Sequence, residues 1–469
     1  MSMSIAVNKA LLGLARNAQA TSVVSSNLSN ASEPGYARRV IVGDQILRVV
    51  DPALLSDRRL SDAEMAAAQT MQDYAQRLDA LAGSAEDPGS LQNLMSIFDS
   101  ALLSAAADPA SEQRLNAVAV AGSDLAQAIG SASGEIQAAR ADADTAIAKD
   151  LAQLNALLEE AASLNQALAR AQPGTASTAS LFDQRQKVID AVAEIVPIRT
   201  APRDQNGIAL YTTNGAILLD GQPATVGFTP TPVIAAQMTE ANGLLGGLTI
   251  NGRAVSSGPK GPLSGGRLGA AFEARDVMLP EAQARLDGIA YDLIERFGAG
   301  GPDATIAPGQ IGLFSELGAP PGPPPVPGLS ERLIWNPAVA PGSTDLWKLR
   351  DGLGATAPGE VGDAALLNAL SDSLNALRAP TDPALGGSVR SARGQFAAFG
   401  ASIEATRILS EDALTRFSAR NTALREIEFS QGVDSDVELQ RLLEIEQNYA
   451  ANAQVLRSVD EMLNQLLSI

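Results

Sequence analysis

The stretch RLLEIEQNYAANAQVLRSVDEMLNQLL, residues 441–467, decides the fold of this 469-residue chain. Apolar residues recur in it with steps of three and four, the spacing of a helix that buries one stripe against another helix. One asparagine interrupts the stripe, and a single buried polar residue of this kind typically sets coiled-coil register at some cost in stability. We call this stripe the C-terminal seam; it comprises Leu442, Ile445, Tyr449, Asn452, Leu456, Val459, Leu463 and Leu466.

The first thirty residues predict a second helix with a weaker seam of the same spacing. About half of its members are small or hydroxylic, so the helix has little apolar surface with which to pack on its own. The segment from Asn30 to Gly35, which includes the dipeptide Pro34-Gly35, ends this helix, and the Val- and Ile-rich residues 38–50 predict an extended arm. This N-terminal seam comprises Val7, Leu11, Leu14, Ala18, Thr21, Ser25 and Leu28.

The two ends of the chain carry charges of opposite sign. Residues 1–50 contain five cations and two anions, a net +3, whereas residues 431–469 contain two cations and seven anions, a net −5. Opposite charges favour pairing of the two ends if they meet. The whole chain has a net charge of −19, which repels phosphate backbones and anionic lipids. We therefore expect no nucleic-acid partner and no membrane partner.

Composition excludes most catalytic chemistry. The chain has neither His nor Cys, which excludes His-based triads, zinc fingers and disulfides. Carboxylate pairs such as Glu159-Glu160 are typical of solvated helix faces, and neither a P-loop nor a dinucleotide-binding motif occurs. We expect no enzyme activity, no cofactor and no metal site. Without a recognisable cleaved signal segment, we expect either a cytoplasmic protein or export that leaves the N-terminus intact.

Proline and glycine indicate how the chain is organised. Of 26 prolines, 20 lie between residues 200 and 390, and the flanking segments are rich in helix-forming residues. Asn214-Gly215 predicts a hairpin turn in the middle part, and residues 298–345, with the Pro-rich run 320–327, predict irregular structure. The predicted helices cover about 62–81, 91–106, 110–171 (broken or bent near Gly130 to Gly134), 181–196, 263–297, 363–377 and 389–429.

The predicted fold class is mainly α with a β-containing insert. It combines long terminal coiled-coil helices, a helical stalk and a Gly/Pro-rich mixed outer domain. We expect a terminal assembly domain of residues 1–50 and 431–469, a helical stalk of residues 51–200 and 390–430, and an outer domain of residues 201–389. Residue pattern alone leaves two possibilities for the seams. They form either an ordinary terminal helix pair or surfaces that order against neighbouring copies.

A motif near the N-terminus resembles a known protein group. Residues 26–39, SNLSNASEPGYARR, resemble the N-terminal signature of bacterial flagellar rod, hook and hook-associated axial proteins. Residues 446–467 resemble the matching C-terminal pattern of that group. Ser29 and Glu33 depart mildly from the signature. The residues that carry the N-terminal resemblance are Asn27, Leu28, Asn30, Pro34, Gly35 and Tyr36.

Three interior segments narrow the resemblance to the first hook-associated protein family (FlgK). They are residues 430–436 (SQGVDSD), residues 181–190 (LFDQRQKVID) and residues 264–280, which begin with SGGRLG. Rod and hook proteins do not usually carry such long helical interiors, and flagellin lacks the Pro-Gly-Tyr signature. The resemblance covers both ends and the helical interior, and covers residues 298–388 poorly.

The resemblance implies a structural subunit at the junction between the flagellar hook and filament. It implies a homo-oligomeric ring, neighbours that include hook protein and a second junction protein, an export chaperone, and type III export to the extracellular flagellum. The alternatives are another axial protein of hook or flagellin type, or a cytoplasmic coiled-coil scaffold or signalling protein. The expected subunit-interface residues are Val7, Leu11, Leu14 and Leu28 together with the C-terminal seam.

Overall fold

The computed structural model describes residues 3–83 and 87–467, and within them the side chains of residues 4–83 and 87–465. The described chain is mainly helical, with small sheets. Its α-helices are α1 (Met3–Ser29), α2 (Pro52–Ala82), α3 (Leu91–Ala107), α4 (Glu112–Arg170), α5 (Ala176–Ile195), α6 (Gly266–Glu273), α7 (Leu279–Arg296), α8 (Lys348–Asp351), α9 (Ala365–Asn375), α10 (Ala392–Ser430) and α11 (Ser435–Leu467).

Within residues 3–83 and 87–467 the strands form four antiparallel sheets, ordered β1-β2, β3-β4-β5-β6, β7-β8-β9 and β10-β11. Each strand pairs with the strand before or after it along the chain. Residues 228–247 separate β7 from β8, and residues 317–332 separate β10 from β11. The strands are β1 (Arg39–Val42), β2 (Gln45–Arg48), β3 (Ile198–Pro202), β4 (Ile208–Thr212), β5 (Ile217–Asp220), β6 (Gln222–Pro223), β7 (Val226–Gly227), β8 (Leu248–Ile250), β9 (Arg253–Val255), β10 (Phe314–Glu316) and β11 (Leu333–Trp335).

Helix α4 is continuous over 59 residues, so of the predicted break or bend near Gly130 to Gly134 the break is wrong. Glycine weakens a helix interior by roughly 0.5–1 kcal/mol, but tertiary packing outweighs that cost here. A β-carbon on Gly130 would lie 3.6 Å from the carbonyl oxygens of Ser330 and Glu331, so a short 3-10 turn packs close to the helix at this point. The neighbouring Ser133 is fully buried and hydrogen-bonds to Gln283.

The predicted helix over 263–297 is two α-helices joined by a π-helical segment, Ala274–Met278. Pro280 explains the interruption, because proline has no N–H to donate to the carbonyl four residues earlier.

Helix α2 begins ten residues before the predicted start. The carboxylate of Asp51 caps it by accepting from the N–H groups of Ala53 and Leu54, and Pro52 occupies its first position.

Two large apolar cores lie along the length of α4. The first contains the aromatic cluster of Phe98, Phe297, Phe314 and Trp335, in which neighbouring ring centroids lie 5.2–6.0 Å apart. The second packs the C-terminal half of α4 and α5 against β3, β4, β5, β7, β8 and α6. Residues 201–389 therefore contribute to both cores. The domain boundaries given above stay a prediction.

Residues 298–345, predicted as irregular, contain the hairpin of β10 and β11. That part of the prediction is wrong. The Gly- and Pro-rich composition hid two short strands whose aromatic residues, Phe314 and Trp335, are buried in the first core. The Pro-rich run 320–327 itself is a loop between these strands.

Candidate assembly interface at the terminal helices

Helices α1 and α11 pack against each other within one chain. They approach closely at Gly13, where an added β-carbon would lie 2.6 Å from the Nδ2 atom of Asn452. The asparagine of the C-terminal seam thus faces α1, where a larger residue than glycine would collide with it. Ala10 and Val459 are buried in the same pair, with 3% and 5% of their surface exposed.

The predicted seam residues divide into two groups. Of the residues predicted at the interface, the buried or half-buried ones are Val7, Leu14, Leu442, Ile445, Asn452, Leu456 and Val459. The exposed ones are Leu11, Leu28, Tyr449 and Leu463. The side chain of Leu466 lies outside the described residues. One chain therefore covers only part of its own seams.

Further large apolar side chains are exposed beside the seams, and the heptad pattern did not select them. They include Ile5, Leu12, Leu439, Leu443, Val455 and Met462, of which Leu12 is 64% and Leu443 59% exposed. Contiguous exposed apolar surface on a soluble protein marks an interaction site. A wider apolar stripe, rather than one strict heptad phase, is the sequence signal that could have identified them.

Asn27 closes the turn between α1 and the first strand. Its side chain is fully buried; Nδ2 donates to the carbonyl of Arg39 at 2.9 Å, and Oδ1 accepts from the N–H of Arg39 at 2.9 Å. The same Oδ1 accepts from the hydroxyl of Tyr36 at 2.8 Å. Asn30 donates to the carbonyl of Ser26 at 2.8 Å. The motif asparagines and tyrosine thus fold the chain back, and do not themselves present an outward surface.

Gly35 in that turn lies against helix α5. Its φ angle is +79°, and a β-carbon there would lie 3.2 Å from both the carbonyl oxygen of Asp183 and the Cβ of Lys187. Left-handed backbone geometry and close approach of another backbone both favour glycine. Pro34 is exposed beside it.

A charged cluster, which we call the Asp183 junction, fastens this turn to α5. The carboxylate of Asp183 accepts from Nη2 of Arg39 and from Nε of Arg48, each at 2.7 Å, and from the backbone N–H of Ala37 at 3.2 Å. Arg48 also donates to Gln186 at 2.7 Å. Asp183 and Gln186 belong to the interior segment 181–190, so two segments quoted separately above form one structural unit.

Burial alters the acid–base properties of the cations in this region. Desolvation lowers the pKa of Arg48 despite the neighbouring Asp183 carboxylate. Desolvation, together with the charges of Arg48 and Arg59, lowers the pKa of Arg185 to about 10. These arginines remain protonated at neutral pH, so the junction keeps its ion pairs in ordinary physiological conditions.

Arg38, which directly precedes strand β1, connects the β1–β2 hairpin to helix α11. Its Nε donates to the Glu438 carboxylate in the first turn of α11 at 2.9 Å, and the Glu438 side chain is completely buried. Arg441 lies 3.6 Å from the same carboxylate. The cationic N-terminal segment and the acidic C-terminal segment therefore meet, as their charges favour.

A second buried cluster, centred on Arg58, clamps α2, α5 and α10 together. Arg58 forms ion pairs with Asp62 at 2.5 Å, Asp190 at 2.6 Å and Glu428 at 2.6 Å. Burial opposes the charge of Arg58, but the three carboxylates outweigh it and raise its pKa. Arg425 on α10 also pairs with Asp62. Neither the Asp183 junction nor the Arg58 cluster was predicted from the sequence. Asp183 and Asp190 lie seven residues apart and therefore share one face of α5, which is the signal that the sequence offered.

Among residues 3–83 and 87–467, no group of three or more metal-ligating acidic side chains is close enough to hold an ion. Within the same residues, no helix is long and apolar enough to cross a membrane. The terminal region presents exposed apolar side chains on two paired helices, which the Asp183 junction and the Arg38–Glu438 pair connect to the body.

Comparison with known proteins gives two family matches. Residues 75–302 match the family described as flagellar hook-associated protein FlgK helical domain. Residues 430–469 match the family described as flagellar basal body rod FlgEFG protein C-terminal. The first match covers the region from α2 to α7, and the second covers α11.

Individual proteins that are similar to this chain are also described as flagellar hook-associated proteins. Flagellar hook-associated protein 1 of Salmonella typhimurium is 24% identical over 349 residues, which cover 68% of this chain and 60% of that protein. The Bacillus subtilis protein of the same name is 22% identical over 321 residues, covering 59% of this chain and 63% of that protein. The chain thus spans less than two thirds of the length of these relatives. A structure of the flagellar hook junction protein FlgK from Burkholderia pseudomallei shares 16% identity, with a TM-score of 0.45, over 55% of this chain and 46% of that one.

Proposed function

Because this chain belongs to the FlgK family of flagellar hook-associated proteins, we propose that it is a structural, non-enzymatic subunit of the bacterial flagellum that forms the hook–filament junction. Its terminal helices assemble with those of neighbouring copies in a ring. The observation that carries the proposal is the exposed apolar surface of the paired helices α1 and α11, which one chain leaves uncovered.

The charged clusters support this role mechanically. A subunit that joins two tubular structures has to transmit torque from its terminal helices to its body. The Asp183 junction and Arg38–Glu438 pair connect both terminal helices to α5 through one hairpin. Ion pairs with several buried partners resist displacement because separating them leaves an uncompensated buried charge.

Within this proposal, residues 1–50 and 431–469 form the coiled-coil assembly domain, residues 51–200 and 390–430 the stalk, and residues 201–389 the outer domain. Hook protein and a second junction protein are the axial neighbours, and a chaperone accompanies export to the extracellular flagellum. The absence of Cys is compatible with export of an unfolded chain, because no disulfide has to be opened.

Deletion of the gene in the source organism tests the function. The expected result is cells that keep hooks but lack filaments in electron micrographs, with motility restored by the wild-type gene on a plasmid. Normal filaments in the deletion strain would refute the junction role. Cells without hooks would instead indicate a rod or hook protein.

An experiment on the purified monomer distinguishes the assembly role from the alternative role as a coiled-coil scaffold. Limited proteolysis of the purified monomer is expected to trim residues at both ends while residues 60–425 resist cleavage, because the exposed seams need neighbours for full protection. Ends that stay fully helical and protease-resistant in the monomer would favour a coiled-coil scaffold that needs no ring.

A further inference from the structure

A long open groove lies away from the terminal helices. Its volume is about 1150 Å³, above the range of roughly 300–1,000 Å³ typical of small-molecule pockets. Helices α2, α10 and the α6–π segment line it, together with loops near residues 236–241 and 257–259. None of its lining residues belongs to α1 or α11, so the inference drawn from it does not depend on the proposed function.

The groove follows helices α2 and α10 lengthwise. On α2 it is lined by Leu60, Ala63, Ala67 and Met71, and on α10 by Thr406, Leu409, Ala413 and Phe417. Both sets have the spacing i, i+3, i+7, i+11, which is one helix face over three turns. The lined length is about 16 Å on each helix, from a rise of 1.5 Å per residue.

The third wall has nearly the same periodicity. It is lined by Gly266, Ala270, Glu273 and Val277, on α6 and the π segment. Small residues on all three helices keep the space between them open. Three helices around one trough leave the position that a fourth helix occupies in a four-helix bundle.

One large apolar side chain of the groove wall is strongly exposed. Leu409 has 69% of its surface exposed, although helix α10 is packed into the first core through Phe396, Phe399 and Ile403. A leucine on the first half of a well-packed helix normally faces the core, so this exposed position is the kind of surface that a partner covers.

The polar lining of the groove is acidic. Four carboxylates and one cation, Arg140, line it. Arg140 is not available to a ligand, because its guanidinium donates to the backbone carbonyls of Arg275 and Met238 at 3.0 and 2.8 Å. The carboxylates are Glu64, Glu240, Glu273 and Asp276.

Glu273 is the carboxylate that a partner can use. Glu64 is paired with Arg420 at 2.7 Å, and Asp276 with Arg275 at 2.8 Å. Glu240 accepts a hydrogen bond from the hydroxyl of Ser257. Glu273 has no ion pair among the described residues. Burial, followed by the charges of Glu281 and Asp276, raises its pKa, so a cation placed beside it would relieve electrostatic strain.

We propose that this groove binds an amphipathic α-helix of a separate partner protein, about three turns long, whose apolar stripe is flanked by Lys or Arg. The apolar stripe packs between Leu409 and Met71, and a basic residue pairs with Glu273. This is the helix-in-groove mode of recognition, in which anchors recur with the spacing of one helix face.

Fluorescence anisotropy with the full-length protein tests the proposal. The probe is a fluorescein-labelled, amidated 15-residue helical peptide with Leu at i, i+3, i+7 and i+11 and Lys on the flanking positions. A second peptide carries Glu in place of every Lys. The lysine peptide is expected to bind, and Leu409→Lys or Glu273→Lys to weaken its binding by about tenfold or more, as for a residue at the centre of an interface.

Matched variants separate specific binding from attraction to an acidic protein. Leu377, with 72% of its surface exposed, and Glu159 lie outside the groove, so Leu377→Lys and Glu159→Lys make the same charge changes elsewhere. They are expected to leave affinity unchanged within about twofold. Circular dichroism checks that all four variants fold.

Three results would overturn the proposal. The first is equal binding of the lysine and glutamate peptides. The second is an affinity that Leu409→Lys and Leu377→Lys reduce equally. The third is a peptide of residues 3–29 of this chain that binds more tightly than the lysine probe and loses binding in Leu409→Lys. That outcome would identify the occupant as a second copy of this chain.

Discussion

Arg39 donates to the carboxylate of Asp183 across 2.7 Å, joining the hairpin that follows the first helix to helix α5. Arg48, on the second strand of the hairpin, reaches the other oxygen of the same carboxylate at 2.7 Å. Asp183 is thus a single residue on which two strands depend. The turn motif Asn27 to Tyr36 is held in place through it, because Asn27 bonds to both backbone polar groups of Arg39.

Replacing Asp183 should loosen the terminal region. In Asp183→Asn, two buried arginines lose their counter-charge, and we expect a loss of about 3 kcal/mol in the free energy of unfolding of that region. Urea denaturation followed by circular dichroism measures the change. Glu159→Gln, an exposed change on α4, is the control and should stay within about 0.5 kcal/mol of wild type. Equal stability of both variants would mean that the Asp183 junction contributes nothing.

Alanine substitutions at two glycines separate the cost of backbone strain from the cost of crowding a neighbouring helix. Gly35 and Gly43 have φ angles of +79° and +65°, so alanine is strained at both by about 1–2 kcal/mol. A β-carbon at position 35 would also crowd α5, whereas nothing lies within 4 Å of position 43. Thermal unfolding should therefore show a larger loss for Gly35→Ala than for Gly43→Ala. Equal losses would show that contact with α5 has no influence.

The exposed apolar surface of α11 should be needed for assembly and not for folding. Leu443 is 59% exposed, so Leu443→Glu should change monomer stability by less than about 0.5 kcal/mol. The same change should abolish motility when the variant gene complements the deletion strain. Leu377→Glu replaces a leucine that is 72% exposed outside the terminal helices, and it should restore full swimming on soft agar. If Leu443→Glu also swims normally, this part of α11 does not face a neighbour.

Two glycines on helix α4 should respond to alanine in opposite directions. A β-carbon on Gly122 would lie 2.2 Å from the Trp335 ring, so Gly122→Ala should overpack the first core and cost about 1–3 kcal/mol. Gly134 is exposed with nothing within 4 Å, and Gly134→Ala should stabilise the helix by roughly 0.5–1 kcal/mol. Differential scanning calorimetry measures both shifts. A stabilised Gly122→Ala variant would contradict the packing described for Trp335.

Asp220 gives a test by pH. Hydrogen bonds from Arg203 and then Tyr211 lower the pKa of Asp220 to about 2. The folded state holds Asp220 ionised at pH values where the unfolded chain already binds a proton there. The contribution of this cluster to the free energy of unfolding is therefore full above about pH 4 and is lost as the pH falls towards 2. Arg203→Gln should move the pKa of Asp220 back up, measured by carboxyl NMR titration. Arg199→Gln, on β3 of the same sheet, should leave it near 2.

Many helix limits follow from local chemistry. The seam spacing of residues 442–466 lies within α11, α1 ends at Ser29 where the predicted turn of residues 30–35 begins, and Asn214-Gly215 joins β4 to β5. These features depend on residues a few positions apart, whose periodicity and turn preferences are visible in the sequence. The failures have tertiary causes. Packing of the turn at Ser330 keeps α4 continuous at Gly130, and the first core orders the strands around Phe314 and Trp335.

The candidate interface was only partly predictable for the same reason. A heptad pattern tells which residues share a helix face, but it does not tell whether α1 or a neighbouring chain covers that face. Ile445 and Leu463 lie in related seam positions, yet Ile445 is half-buried and Leu463 exposed. Leu12 and Leu443 fell outside the heptad phase, so the sequence reading did not select them.

By itself, the sequence determined that this chain is mainly helical, that both of its ends carry seams, and that the ends attract each other. Each of these properties comes from residue type and spacing along the chain. Only the tertiary structure decided that Arg39 and Arg48 share Asp183, that Gly13 faces Asn452, and that α2, α10 and the α6–π segment leave a groove. Such contacts depend on where the fold places residues far apart in sequence, and many partners would satisfy an arginine or an apolar face equally well before folding.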